Sequence, residues 1–271
     1  MTKLFQVLDV DAYHLHIEIK EACTLPVLKR ALGFYKTRMK YIQSMEPIHS
    51  QYEAKEHVIV IFHTQDTKRE FKSPVNIVYE DEYLLIANKP PFLLVHSDGN
   101  TTDTLSARIQ SYLFDNAWPH KVQAVHRIDT EASGLVLFCK NPAFQAKLDE
   151  MMQQHTCIKE YRCLVQGKYP YKNKTIELPI SRNRHQSGAM IVHPNGKPCH
   201  TQVKRIQIYE KKTLLTAQIT TGRKHQIRLH LASTGYPIIN DRIYGTVINE
   251  KGLLLQHYHF SFQHPYTFQT V

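Results

Sequence analysis

Short apolar runs, separated by isolated helical stretches, limit what this 271-residue chain can fold into. Such runs are too short for surface helices and have the continuous or alternating apolar pattern of strands. They occupy residues 83–87, 135–140, 161–165, 214–219 and 253–262. Helices are expected from Asn141, with Pro142 at the first helical position, and from Lys224 to a stop at Gly235. Because no repeating β-α-β order is visible, the pattern predicts an α+β fold.

The first 70 or so residues have a pattern of their own. Helices are expected near residues 24–32 and 36–45, followed by a strand at 57–62. A polar, charged stretch then covers residues 65–73 and ends at Pro74, which is typical of a domain boundary. We therefore expect a small α/β N-terminal domain over residues 1–72 and a larger domain over residues 73–271.

Composition excludes several classes of protein. No run approaches the ~20 apolar residues of a membrane span, and the N-terminus does not resemble a secretory signal, so a cytoplasmic protein without membrane association is expected. The five cysteines are scattered, which supports neither a disulfide framework nor a zinc ribbon. The 17 histidines lack ligand spacing, so no metal is expected.

Positive charge is concentrated rather than spread. The formal net charge is +10, and the stretch 178–240 contains a single acidic residue, Glu210, among ten lysines and arginines. A second basic stretch lies between Glu21 and Glu46. Two such stretches are either solvated surface or binding sites for a polyanion. Because the positive charge is concentrated in them, binding of a polyanion is the favoured interpretation.

Residues 126–134 place Asp129 two positions after the basic pair His126-Arg127 and between two apolar segments. A carboxylate with little access to water needs a cation, and Arg127 is the nearest one in sequence. An ordinary ion pair at a turn is the simplest interpretation, but Asp129 is also a candidate nucleophile. Neighbouring residues on an extended chain point to opposite faces, so another arginine could serve Asp129 better.

Two further segments contain groups that carboxylate chemistry would require. Residues 221–230 place Arg223, Lys224 and Arg228 behind a glycine turn at the start of a helix. A cation there is repelled by the positive end of the helix dipole, which costs about 0.3–1 kcal/mol of stability per charge. Such cations are expected to bind a carboxylate or a phosphate, unless Arg228 merely belongs to a surface helix. Tyr161 lies on the more apolar face of a strand, either as core or as a platform on which a planar base stacks.

Six motifs stand together in one order. They are Asn-Lys-Pro with Val-His (88–96), His-Arg-Ile-Asp with Ser-Gly-Leu (126–135), Lys-x-Tyr-x-x-Leu-Val-x-Gly (159–167), Gly-Lys-Pro (196–198), Thr-Gly-Arg-x-His-Gln-Ile-Arg-x-His (221–230) and Gly-x-Pro-Ile with Asp-x-x-Tyr-Gly (235–245). From about Val78 to Pro265 the chain resembles the pseudouridine synthases of the RluA type. The resemblance implies the pseudouridine synthase fold, with a mixed, mostly antiparallel sheet and flanking helices, and no cofactor.

The resemblance also assigns roles to residues. Asp129 would be the essential catalytic carboxylate, Tyr161 would pack on the target base, and Arg228 would pair with Asp129. Arg127 would hold the flipped base out of its stack. The same motifs extend the expected substrate-binding set to His126, Leu229, Arg223 and Lys224.

The implied activity is isomerisation of specific uridines in ribosomal or transfer RNA to pseudouridine, by a monomer that needs no protein partner. The alternatives are a catalytically inactive RNA-binding protein of the same fold and, more distantly, a glycosidase using Asp129 and Glu131 as its carboxylate pair. Phe92, Ala132 and Asn240 depart from the family pattern, which puts substrate choice in question.

The N-terminal residues are loosely similar to an RNA-binding module of the S4 kind. Helices at 28–32 and 36–43 and a hairpin over 48–62 would correspond to it. The usual Val-Asn-Gly turn is replaced by residues 47–50, so a degenerate or unrelated module is the alternative.

The basic stretches predict salt-dependent RNA binding. Because phosphate contacts release counterions, the dissociation constant for RNA should rise by at least about tenfold between roughly 50 and 200 mM salt. Fluorescence anisotropy with a labelled RNA measures it. A dissociation constant that barely changes would show that these stretches are only solvated surface.

Overall fold

The computed structural model describes residues 4–69, 71, 73–247, 249 and 251–271. The strands are β1 (Phe5–Val10), β2 (His14–Ile19), β3 (Cys23–Thr24), β4 (Ile42–Glu46), β5 (Gln51–Tyr52), β6 (His57–Phe62), β7 (Ile77–Glu80), β8 (Leu84–Lys89), β9 (Gln123–Ala124), β10 (Ser133–Cys139), β11 (Ile158–Gln166), β12 (Asn173–Ile176), β13 (Ile180–Arg182), β14 (Met190–Val192), β15 (Thr201–Ile208), β16 (Lys212–Ile219) and β17 (Leu255–Ser261). The α-helices are α1 (Leu25–Ala31), α2 (Leu105–Asp115), α3 (Gln145–Gln153) and α4 (Gln226–Ser233), and residues Met39–Tyr41 form a 3-10 turn.

The larger sheet has nine strands and is mixed, mostly antiparallel, as expected. Its order is β12-β15-β16-β11-β17-β10-β8-β7, with β9 also paired to β10. All pairs are antiparallel except β10 with β17. The five strand-like runs predicted from the sequence all contribute to this sheet. The chain therefore has the α+β architecture that its pattern predicts.

The N-terminal sheet has the order β1-β2-β6-β4 and is antiparallel throughout. The helix predicted over residues 36–45 is wrong. Only the 3-10 turn precedes β4, because Ile42 and Met45 are buried and the segment pairs with β6, which overrides local helix propensity. The hairpin predicted over residues 48–62 is also wrong, since β5 pairs with β3 while β6 lies between β2 and β4.

Helix boundaries differ slightly from the predicted ones. Asn141 does not begin a helix but makes a turn, in which its Oδ1 accepts a hydrogen bond from the Ala143 amide, and α3 begins only at Gln145. Helix α4 begins at Gln226, after His225 in the left-handed region. In the described part of the chain no helix is both long and apolar enough to cross a membrane.

The two sheets share an apolar core. Phe62 at the end of β6 meets Phe144 edge to face at 5.2 Å, and Phe144 in turn contacts Tyr83 beside β8. The Tyr83 ring stacks on Tyr266 at 4.7 Å, and the Tyr266 hydroxyl donates to the Leu32 carbonyl after α1. Packing of this kind fixes the N-terminal sheet against one end of the larger sheet.

Gly134 lies where β10 approaches β17 most closely. It pairs with His257 in the parallel register and has φ +117°. A Cβ at this position would lie 2.2 Å from the His257 carbonyl oxygen and 2.6 Å from its nitrogen, both backbone atoms. The parallel pair therefore requires glycine here, for space as well as for φ.

Gly134→Ala should be far more destabilising than Gly99→Ala. Gly99 also has a positive φ, but a methyl group added there would meet no other atom within 4 Å, so only backbone strain, about 1 kcal/mol, is expected. At Gly134 overpacking adds to strain, and the free energy of unfolding should fall by more than about 3 kcal/mol. Urea unfolding measures both; equal losses would contradict the close approach.

Candidate active site

A cavity of about 400 Å³ opens where the turn 126–134, strand β11 and the start of α4 meet. Its walls are formed by Arg127, Ile128, Asp129, Ala132, Tyr161, Ile219, Gly222, Arg223, Lys224, His225, Gln226, Ile227, Arg228 and Leu255. This volume lies within the range of small-ligand pockets, roughly 300–1,000 Å³. Three motifs that are far apart in the sequence thus meet at one site.

Asp129 is the carboxylate of this cavity. The turn that carries it is closed by the Ala132 amide, which donates to the Asp129 carbonyl at 3.1 Å, and Ile128 beside it is buried. The side chain remains 24% exposed, and its Oδ2 lies 3.2 Å from Nη1 of Arg228. Asp129 therefore has a cationic partner and still faces the space a ligand would occupy.

Arg228 contacts three carboxylates although its side chain is only 1% exposed. Its Nε and Nη2 donate to the two oxygens of Asp241, both at 2.8 Å, and Nη2 also lies 3.0 Å from Glu131. Burial alone would lower the pKa of Arg228, but the hydrogen bonds and charge of Asp241, with Asp129 and Glu131, raise it instead. Arg228 is a permanent cation in the interior.

Asp241 is held from both sides, and sequence reasoning gave it no role. Burial would raise the pKa of Asp241, but hydrogen bonds from Arg228 and from the Ile243 and Tyr244 amides lower it below the ordinary value. The signal was present in the Asp-x-x-Tyr-Gly motif, which begins at this residue. Its meaning depends on the contact with Arg228, thirteen positions earlier.

A buried lysine ties the turn to strand β8. The ammonium of Lys89 donates to the carbonyls of Pro90, Leu93 and Thr130 at 2.8–2.9 Å. Burial lowers the pKa of Lys89 to about 8, although the Asp129 charge opposes the shift. The Asn-Lys-Pro motif thus supports the backbone that follows Asp129.

Tyr161 presents its ring to the cavity from β11. Its other side stacks on His257 of β17, with ring centroids 4.5 Å apart and an angle of 17° between planes. His257 is fixed in turn by Nδ1, which donates to the Leu135 carbonyl at 2.7 Å, and burial lowers its pKa to about 4. Burial and the nearby Asp129 raise the pKa of Tyr161. A neutral, rigidly held ring therefore lines the site.

His225 is a second neutral group in the cavity wall that sequence reasoning did not single out. The Tyr244 hydroxyl accepts from the Met190 amide at 2.7 Å and lies 3.0 Å from His225 Nδ1, so its proton is available to the imidazole. Burial lowers the pKa of His225 to about 4.

The remaining predicted residues are divided between the cavity and its surroundings. Arg127, Arg223 and Lys224 are exposed at the cavity and give it a basic border. His126 packs behind it, with Nε2 accepting from the Leu137 amide and its ring against His257. Leu229 lies outside the cavity, in a small apolar cluster with Ile180 and Cys199.

The arrangement does not offer the carboxylate pair of a glycosidase. Glu131 contacts Arg228 but does not line the cavity, whose described walls contain Asp129 as their single carboxylate. Within the described residues there is also no group of three or more histidine, cysteine or acidic side chains able to hold a metal. What the cavity presents is one carboxylate, one aromatic face and exposed cations.

Asp241→Asn should lower the free energy of unfolding by about 3–5 kcal/mol at neutral pH, because it leaves Arg228 buried with an incomplete set of partners. The pKa of Asp241 is lower in the folded chain than in the unfolded chain. Its stabilisation is therefore present above about pH 4 and fades as the pH falls further, so the difference from the wild type should narrow there.

The matched control is Asp103→Asn. Asp103 also pairs with an arginine, Arg108, at 2.7 Å, but its side chain is 41% exposed. Asp103→Asn should lower the free energy of unfolding by less than about 1 kcal/mol. Chemical unfolding at several pH values compares the two, and equal losses would contradict a special role for the buried pair.

Comparison with known proteins agrees with this geometry. Residues 83–233 match the family model described as RNA pseudouridylate synthase. The uncharacterized RNA pseudouridine synthase YhcT of Bacillus subtilis is 35% identical over 174 residues, which cover 63% of this chain and 58% of that protein. Ribosomal large subunit pseudouridine synthase D of Escherichia coli K12 is 35% identical over 173 residues, covering 64% and 53%.

The fold has solved counterparts. Human RNA Pseudouridylate Synthase Domain Containing 1 superposes with a TM-score of 0.61 at 21% identity, over 74% of this chain and 84% of that one. The chain spans little more than half the length of the two relatives above. By its motifs, its fold and its match over more than half its residues, the chain belongs to the RNA pseudouridine synthases of the RluA type.

Proposed function

We propose that this protein isomerises uridine in RNA to pseudouridine. The observation that carries the proposal is the position of Asp129, which faces the cavity opposite a stacked aromatic ring and is paired with a buried guanidinium. The family match supports the same reaction.

The reaction rearranges bonds within one nucleotide. The bond between N1 and C1′ breaks, the uracil turns, and C5 joins C1′. The hydrogen on C5 is released and N1 gains one, so no oxidant, reductant or outside atom enters. The rearrangement therefore requires no cofactor.

Asp129 supplies either the negative charge that stabilises the breaking glycosidic bond or the electron pair that forms a covalent bond. While the glycosidic bond breaks, positive charge develops at C1′, and a carboxylate there either stabilises that charge or bonds covalently to the sugar or the base. Arg228 contacts one oxygen of Asp129, Oδ2, which orients the carboxylate. Tyr161 limits where the base can lie.

RNA must present the uridine outside its helix. A base inside a stacked helix cannot reach a cavity of this kind, so flipping is required. The exposed cations Arg127, Arg223 and Lys224 surround the entrance and suit the phosphates of the flanking strand. Tyr161 then provides a face for the extruded uracil.

We propose ribosomal RNA as the substrate class, with transfer RNA as the alternative, since a matched relative is named for the ribosomal large subunit. The protein would act in the cytoplasm as a monomer, without an obligate protein partner. We also propose that residues 1–72 form a small domain, packed against the larger one, that contributes the second basic stretch, between Glu21 and Glu46, to RNA binding.

Asp129→Asn should abolish pseudouridine formation while leaving RNA binding nearly intact. The assay is tritium release from transcripts of large-subunit ribosomal RNA and of transfer RNA that carry tritium at uridine C5, because formation of the C5 to C1′ bond displaces it. The reason for the loss is that an amide carries neither the charge nor the nucleophilicity of the carboxylate.

Asp115→Asn is the control, since it removes a carboxylate at the exposed end of α2. It should release tritium like the wild type. If the wild type binds RNA but releases no tritium from either transcript, the chain would be an inactive RNA-binding member of the family. If Asp129→Asn is fully active, the catalytic role is wrong.

A further inference from the structure

A strained turn beside the site carries an exposed aromatic ring. Strand β8 is followed by a turn through Pro91 and Phe92, and Lys89 binds the carbonyls of Pro90 and Leu93 at its two ends. Phe92 has φ +65°. A turn with positive φ after proline ordinarily takes glycine or asparagine at that position, because a bulky side chain is strained there.

The ring contributes little to the core. Phe92 is 48% exposed and belongs to none of the apolar clusters of the described chain. One edge lies near Gly252, where a Cβ would be 3.4 Å from Phe92 Cε2. Glycine would build the same turn without strain, so the stability of the fold does not explain a phenylalanine.

A free cation accompanies the ring. The guanidinium carbon of Arg242 lies 5.7 Å from the Phe92 centroid, in the range of a cation-π contact. Arg242 is exposed and forms no ion pair with any described residue. Proteins hold an unpaired nucleotide with this combination: an aromatic ring stacks on the base, and a cation contacts the phosphate.

Both members lie next to segments of the catalytic network. A Cβ on Gly252 would lie 3.4 Å from Phe92 Cε2 and 3.4 Å from the Glu131 carbonyl oxygen, so the ring and that carbonyl border the same glycine. Arg242 directly follows Asp241. The carboxylates of Glu131 and Asp241 both bind Arg228, which also contacts Asp129.

We propose that Phe92 and Arg242 form a second nucleotide site, which stacks a base flanking the reacting uridine and contacts its phosphate. This inference rests on the proposed function, because it assumes an RNA strand in the cavity. It assigns the strain at Phe92 to recognition: the turn holds the ring outward, where a neighbouring base meets it. Phe92 is then a specificity determinant of this chain rather than a catalytic residue.

The test uses the whole 271-residue chain and a fluorescein-labelled, single-stranded oligonucleotide of twelve uridines. Phe92→Leu and Phe92→Gly should weaken binding by about fivefold or more, as expected for loss of one stacked base, whereas Phe92→Trp should bind within about twofold of the wild type. Phe114→Leu is the matched control, because Phe114 on α2 is also a half-exposed phenylalanine. Phe114→Leu should leave the affinity for the oligonucleotide unchanged.

An abasic oligonucleotide of the same length separates stacking from other effects. Wild type and Phe92→Leu should bind it equally, since it offers phosphates but no bases. Equal binding of the uridine oligonucleotide by both proteins, or an equal loss on both oligonucleotides, would overturn the proposal. If tritium release by the wild type persists in that case, the proposed function stands and only the second site fails.

Thermal unfolding gives an independent readout. Phe92→Gly removes the strain and should raise the melting temperature by about 2–4 °C. A lower melting temperature would show that the ring supports the fold, and would contradict a role in recognition.

Discussion

The buried guanidinium of Arg228 is the charge on which the site depends. It joins the turn that carries Asp129 and Glu131, the first turn of α4, and the segment that begins at Asp241. A buried charge without partners costs several kcal/mol, so these segments gain stability only when all of them are in place. Folding of this part of the chain and assembly of the site are therefore one event.

The larger sheet holds the aromatic ring of Tyr161 rigidly in the wall of the cavity. Strand β11 pairs with β17 so that Tyr161 lies opposite His257, and the close approach of β10 at Gly134 holds His257 from the other side. The ring is thus fixed on one side and open to the cavity on the other. Carboxylate and aromatic face are carried by different elements, and the nine-stranded sheet aligns them. A flipped uracil would then lie between fixed groups.

Apolar patterning predicted five of the nine strands of the larger sheet and helix α4, and the motifs predicted the pairing of Asp129 with Arg228, but β7, β9, β12 and β15 were missed. Asp241 escaped notice because its importance comes from a contact that only the folded chain shows. Residues 36–45 were predicted as helix because the segment is locally helical in pattern, whereas pairing with β6 decides its structure. Local preference fails where distant strands compete for the same residues.

Pseudouridine formation in RNA by this protein can be tested in cells by mapping the modified uridines. Carbodiimide treatment followed by primer extension locates pseudouridines in total RNA from cells that contain or lack the protein. We expect at least one pseudouridine in ribosomal or transfer RNA that disappears without the protein and returns with the wild-type chain but not with Asp129→Asn. Identical maps in the presence and absence of the protein would contradict it.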